Sequence, residues 1–279
     1  MEHDLVTARY LSDNERYADL LNGYGFGGEQ IISAEALIRK VAFGVNFAVI
    51  GIENQEEVHY LMPLRVMSYD VAEYERQASV IKKKVRKMKG IKKAEFLSGF
   101  LKENRLEPCV TLVLYYGKEW DGAKILLELL DFTGIPKELR ELVNNYPIHL
   151  LEIRKMEDTS VFKTDLKQVF DFIRCSEDEH KLRELVENDE AFRNMDEDAY
   201  DMAVSYTSAT ELVEQKNYHE KGGKVDMCKA LTDMLQTERT MGREEGMEQG
   251  IEQGIGQGIR ALILDNLEEG KVRNALWRS

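Results

Sequence analysis

The stretch Val45 to Gln55, VNFAVIGIENQ, decides how the rest of the chain is read. In an extended strand, side chains two apart share a face, so Val45, Phe47, Val49, Glu53 and Gln55 point one way while Ala48, Ile50 and Ile52 point the other. Both faces are apolar until the last three residues. A strand buried on both sides belongs in the middle of a sheet covered by helices, and its polar carboxyl end is where α/β proteins place their chemistry. Glu53 and Gln55 are therefore the first candidate site residues.

Moving outward, Pro63 sits where a first-turn proline is tolerated. Leu64, Met67, Val71, Tyr74, Ala78, Ile81, Val85 and Met88 then alternate spacings of three and four, which predicts a helix of roughly 25 residues with one apolar stripe. Arg65 and Tyr69 lie one turn apart and off that stripe, close in sequence to Glu53 and Gln55. A salt bridge and a packed ring are their plain structural roles. Cys109 to Tyr116, CVTLVLYY, is a second buried strand closed by Gly117, and Ile148 to Ile153 a third. Between them, Lys124 to Phe132 and Pro136 to Asn145 read as short helices.

Upstream, Ser12 and Glu15 fit a capping box that starts a helix carrying Tyr17, Leu20 and Leu21 and ending at Gly23. Glu15 and Asp19 share a face there; a metal could use them, although capping and solvation explain them as well. GYGFGG at Gly23 to Gly28 lacks both a preceding strand and a Gly-Lys-Ser/Thr ending, so it reads as a flexible connection. Ile31 to Phe43 fits either a short helix or a strand.

From Val161 onward the pattern is helical without strand alternation. Phe162 to Ile173, Leu182 to Val186, and Tyr200 to Leu212 mark successive amphipathic segments. Near the end, Gly242, Gly246, Gly250, Gly254 and Gly258 repeat every four residues. Each glycine costs about 1 kcal/mol of helix propensity relative to alanine, so the tail reads either as a frayed segment or as a self-association surface. The expected organisation is an α/β domain over 1–158, a helical region over 159–240 and a glycine-spaced tail over 241–279. Gly270 to Ser279 offers too little to close another helix.

The chain has 279 residues, 51 acidic against 38 basic, and a formal net charge of −13. That balance disfavours nucleic-acid binding through the overall field. Locally, eight of the twelve residues from Lys82 to Lys93 are Lys or Arg, either a solvated helix face or a phosphate contact. Three dispersed cysteines suggest reduced thiols and a cytoplasmic protein. No apolar run reaches the roughly 18 to 20 residues of a membrane span, and MEHDLVTARY lacks a signal-peptide pattern, so no membrane association or processing is expected. The five histidines show no HExxH companion, and no GxSxG stands on a strand-turn-helix, which leaves zinc chemistry and nucleophilic hydrolysis without support.

Several blocks in order carry a resemblance: DNERYADLLN, GIENQEEVHYLMPLR followed by Tyr69, EFLSGFLKE, CVTLVLYYG with EWDG, YPIHLLEIR, and the Gly-x-x-x repeats. From about Asp13 to Gly258 the chain resembles the Rpn-type recombination-promoting nucleases and transposases of the PD-(D/E)XK nuclease superfamily. The resemblance implies a restriction-endonuclease-like core sheet flanked by helices, magnesium as cofactor and DNA as substrate. In such a site carboxylates hold the hard cation, which activates a water and stabilises charge on the phosphate. Glu53 then matches the metal-binding and catalytic Glu, and Gln55 the residue that positions the water. Arg65 and Tyr69 match residues that contact a phosphate or the Glu53 carboxylate, with Lys82, Lys83, Lys84 and Arg86 as further phosphate contacts.

The resemblance also implies an Asp on the preceding strand, yet no Asp lies between Asp19 and Asp70. Glu35, or an acid of the first helix, is the available substitute. Three functions remain open: a metal-dependent DNA endonuclease, a nuclease-fold relic that binds DNA or protein without cutting, and an interaction protein assembling through its helical tail.

Overall fold

The structure, a computed structural model, describes residues 3–38, 41–42, 45–46, 49–207 and 209–276. Three short helices open the chain: α1 (His3–Tyr10), α2 (Asn14–Phe26) and α3 (Ala34–Ile38). Two-residue strands β1 (Val41–Ala42) and β2 (Val45–Asn46) pair antiparallel and lead to β3 (Val49–Gln55). Phe43, Phe47 and Ala48, which belong to the sequence patterns above, lie outside the described residues. Helix α4 (Met62–Val85) forms where the spacing predicts one, but its buried face carries Met62, Val66, Asp70 and Val85. Of the expected stripe only Val85 is fully buried, Leu64 and Val71 are exposed, and Met88 lies beyond the helix end. Helix α5 (Lys93–Ser98) follows it. Strand β4 (Cys109–Tyr115), a 3₁₀ turn at Leu126–Leu129, the single helical turn α6 (Lys137–Arg140) and strand β5 (His149–Glu152) complete the α/β portion.

The three long strands form a parallel sheet in the order β3-β4-β5, with Glu53 beside Val113 and Gln55 beside Tyr115. This corrects the expected position of the Glu53 strand. Among the described residues β4 is the middle strand and β3 an edge, because the unbroken apolar run of β4 is what both layers cover. Thr111 to Tyr115 are all buried, whereas Ile50 to Gln55 are only half-buried.

On one face, Val113 and Tyr115 pack with Met62 and Val66 of α4. On the other, Leu112 and Leu114 join a larger core that runs from Val6 and Tyr10 of α1 into the helical region. That region comprises α7 (Leu166–Cys175), α8 (Glu179–Asn188), α9 (Glu197–Ser205) and α10 (Thr210–His219). Its hydrophobic cluster therefore draws on residues from both sides of position 158. Strands β6 (Met195–Asp196), β7 (Glu220–Lys221) and β8 (Lys224–Val225), in the order β6-β8-β7, interrupt the helices. These two-residue pairings correct the all-helical reading and are too short to produce detectable alternation.

Helix α11 (Met227–Leu276) is 50 residues long, about 75 Å at 1.5 Å per residue. Met227, Ala230, Leu231, Met234 and Leu235 anchor its start in the core. A Cβ added at any glycine from Gly242 to Gly258 would meet nothing within 4 Å. The helix continues through Gly270, so the expected break there is absent.

Capping at the front of the chain is shifted by one residue from expectation. Asp13, not Ser12, is the N-cap of α2, its carboxylate accepting from the backbone N–H groups of Glu15 and Arg16 at 2.9 and 3.0 Å. Helix α2 runs past Gly23 and stops at Gly27, whose φ of 61° is the left-handed conformation a C-terminal glycine supplies. Most of the expected flexible GYGFGG connection is thus the last turn of a helix.

Candidate functional site

Glu53 and Gln55 lie on the same face at the carboxyl end of β3. Gln55 Nε2 donates to Glu53 Oε1 at 2.8 Å and to the Asn54 carbonyl at 2.7 Å. Arg65, in the first turn of α4, reaches the same carboxylate: its Nη2 is 2.9 Å from Glu53 Oε1, the two side chains being 37% and 15% exposed. Arg65 Nε donates to the Tyr69 hydroxyl at 2.6 Å. That hydrogen bond, followed by the charges of Glu53 and Asp4, holds the guanidinium above its ordinary pKa despite partial burial. The strand end and the helix start therefore bring four of the sequence-predicted residues, Glu53, Gln55, Arg65 and Tyr69, into one contiguous set.

The set borders an open cleft of about 460 Å³ along the outer edge of β3, lined by Glu53, Asn54, Gln55, Arg65, Asp4 and Tyr17 among others. Tyr17 donates its hydroxyl proton to the Ile50 carbonyl at 3.0 Å, satisfying one group on the edge of the strand. Burial, the main cause, raises its pKa to about 12. Asn54 Nδ2 lies 3.5 Å from Asp4 Oδ1, while Asn54 Oδ1 is buried without a hydrogen-bond partner. Asp4, Asn54 and Tyr17 join the cleft without any sequence signal that marks them as site residues. Helix α1 has little amphipathic pattern over its eight residues, so nothing in sequence places Asp4 opposite the strand end.

Other sequence candidates lie elsewhere. Glu35 is exposed on α3 and is not part of the cleft lining. Asp19 is buried and serves to hold the chain ahead of α7, where its Oδ2 accepts from the backbone N–H groups of Lys163 and Thr164 at 2.8 and 2.7 Å and from the Thr164 hydroxyl at 2.7 Å. Lys82, Lys83 and Lys84 occupy the last turn of α4, with Arg86 just beyond. A rise of 1.5 Å per residue puts Lys82 about 25 Å along the axis from Arg65. The fold therefore does not bring these bases to the strand end. Their charge is favourable where it stands, at the negative end of the helix dipole.

Magnesium fits the strand end poorly. Among the described residues, no group of three or more His, Cys, Asp or Glu side chains gathers to hold a metal. Glu53 Oε1 already accepts from an amide and faces a guanidinium, while magnesium requires anionic oxygens in near-octahedral geometry. The arrangement is a neutralised carboxylate beside an arginine, suited to holding Arg65 ready for an anion. Among the described residues, no helix is long and apolar enough to cross a membrane. Compared with family models, curated proteins and solved structures, the chain matches none.

Proposed function

We propose that this protein has a restriction-endonuclease-like core that binds DNA at the carboxyl end of β3 without hydrolysing it. The observation that carries the reading is the Arg65–Glu53 pair, in which an arginine supplies the positive charge that a metal would bring to a working nuclease site. A phosphate entering the cleft competes with Glu53 for the Arg65 fork and gains charge-assisted hydrogen bonds. Lys82, Lys83, Lys84 and Arg86 meet the backbone farther along the same helix. At about 1.7 Å of duplex axis per charge, 25 Å corresponds to roughly seven base pairs.

A second reading, a magnesium-dependent endonuclease, draws on Asp4. It faces the same cleft as Glu53 and is a further carboxylate that a cation could recruit once Arg65 turns to phosphate.

Supercoiled plasmid incubated with purified protein, with and without magnesium or manganese, separates the two. The binding reading predicts no metal-dependent nicking, together with salt-sensitive retention of DNA in a gel. Charge reversal at Lys82, Lys83 and Lys84 weakens that retention, as does Arg65→Ala. Nicking that requires metal and disappears in both Glu53→Ala and Asp4→Ala establishes the second reading instead. Absence of DNA retention at low salt would defeat both.

A further inference from the structure

A larger cavity, of about 770 Å³, lies beyond the carboxyl ends of the parallel strands and is distinct from the Glu53 cleft. It opens where β3 and β4 release the chain, at Glu56 to Val58 and Tyr115 to Lys118, and Tyr200 to Thr207 help close it from the helical side. The hydrogen-bonded His3 and Glu56 side chains stand in its wall, with Asp4 of the neighbouring cleft the next residue along α1. This is the position at which parallel α/β sheets receive ligands, and the volume suits a small organic molecule.

The chemistry of the lining is specific. Acids dominate it, yet most are already paired: Asp201 with Arg9 and Lys216, Glu119 with Lys155, Glu177 with Lys118. Arg154 is already committed: its guanidinium donates to the carbonyls of Tyr116, Ile173 and Tyr206 and to the Ser176 hydroxyl, and its charge lies 3.9 Å from Glu177 Oε1. Glu57 and Asp121 have no cationic partner among the described residues, and both raise the pKa of the Tyr115 phenol after the larger effect of its burial. Tyr60, 63% exposed at the mouth, donates to Asp121 Oδ2 at 3.4 Å. Deeper in the wall, Tyr116 is 2% exposed, with its hydroxyl turned towards Thr7 and Tyr206, and the Ser205 hydroxyl is buried and unpartnered.

We infer that this cavity binds a small organic cation, an ammonium or guanidinium compound, held by Glu57 and Asp121, flanked by the Tyr60 ring, and hydrogen-bonded at depth by Ser205. Two unpaired carboxylates beside the exposed Tyr60 ring form the combination that recognises such groups, Tyr116 and Tyr206 being stacked on each other and Tyr115 set edge-on against Trp120. An anion would meet unpaired negative charge, and an uncharged ligand would leave those carboxylates desolvated without compensation. This assignment is independent of DNA binding at the Glu53 cleft.

Isothermal titration of the full-length protein with L-argininamide and with spermidine at low ionic strength tests it, beside Glu57→Gln/Asp121→Asn and Tyr60→Leu variants. A tail variant, Glu244→Gln/Glu248→Gln, removes the same charge elsewhere. We expect saturable one-site binding of at least one probe. It should be weakened tenfold or more in the double variant, several-fold in Tyr60→Leu, and unchanged in the tail variant. Equal weakening in the tail variant would show attraction to net charge alone and overturn the site. So would absence of saturable binding by either probe, unchanged affinity in the double variant, or displacement of the bound probe by magnesium at equal charge concentration. The replaced side chains are exposed, and an unchanged far-UV spectrum confirms that each variant is folded.

Discussion

Two glycines two positions apart in α2 carry opposite requirements. A Cβ at Gly23 would lie 2.2 Å from Phe162 Cε1, whereas one at Gly25 would meet nothing within 4 Å. Alanine at either site gains about 1 kcal/mol of helix propensity. At Gly25 that gain stands, so Gly25→Ala should stabilise by about 0.5 to 1 kcal/mol. At Gly23 the Phe162 ring is buried and cannot swing away, so overpacking of about 1 to 3 kcal/mol outweighs the gain. Urea denaturation of the two variants checks this, and a Gly23→Ala protein as stable as the parent would contradict the packing. In sequence both residues look like the same flexible connection, because the contact that separates them comes from a distant residue, Phe162. Asp70 is a parallel case. It lies on α4 and accepts from Thr111 Oγ1 at 2.7 Å and from the Tyr146 hydroxyl, tying the helix to the strands beneath it. Asp70→Ala leaves both hydroxyls without their acceptor and should cost about 2 kcal/mol in the same assay.

At the level of elements, legibility followed the strength of local signal. The presence of α4 could be read because eight apolar residues repeat at helical spacing, although its buried face, which carries Met62, Val66 and Asp70, could not, and β4 could be read because its apolar run is uninterrupted. Position within the sheet was less accessible. Val49 to Gln55 is apolar enough to be read as central, but pairing depends on which strands remain available, and among the described residues only β4 pairs with β3. The Glu53–Gln55 set was legible because strand alternation alone brings those side chains together, whereas Asp4 enters through a helix with almost no pattern. The long helix α11 exposes the limit of local propensity in the other direction: its glycines argue against helix, yet the segment is helical through Leu276. Replacing Gly246, Gly250 and Gly254 together by alanine should favour the helix by about 1 kcal/mol per site. The expected result is slower amide exchange in that segment with an unchanged melting temperature for the core, since the segment touches nothing beneath it. Faster exchange after substitution would show that the glycines serve a close helix contact between chains.

Across the whole molecule, the pairing of tyrosine hydroxyls with buried acceptors sets the response to alkali. Tyr10 donates to Asp165, Tyr17 to the Ile50 carbonyl, Tyr146 to Asp70 and Tyr200 to the Leu212 carbonyl, while Tyr206 shares a proton with Thr7. Burial is the leading cause that raises the pKa of each of these, and of Tyr116, with Tyr17 and Tyr206 brought to about 12. In the unfolded chain the same phenols ionise near pH 10. Above that pH the unfolded state has released protons that the folded state still holds, so stability falls as pH rises from about 10 towards 12. The chain has 12 tyrosines. Absorbance at 295 nm should therefore show part of them ionising near pH 10 in the folded protein, with the remainder appearing only as the far-UV helical signal collapses. Ionisation of all of them near pH 10 with the helical signal intact would mean that these hydroxyls are not buried as the packing of α1, α9 and β4 requires.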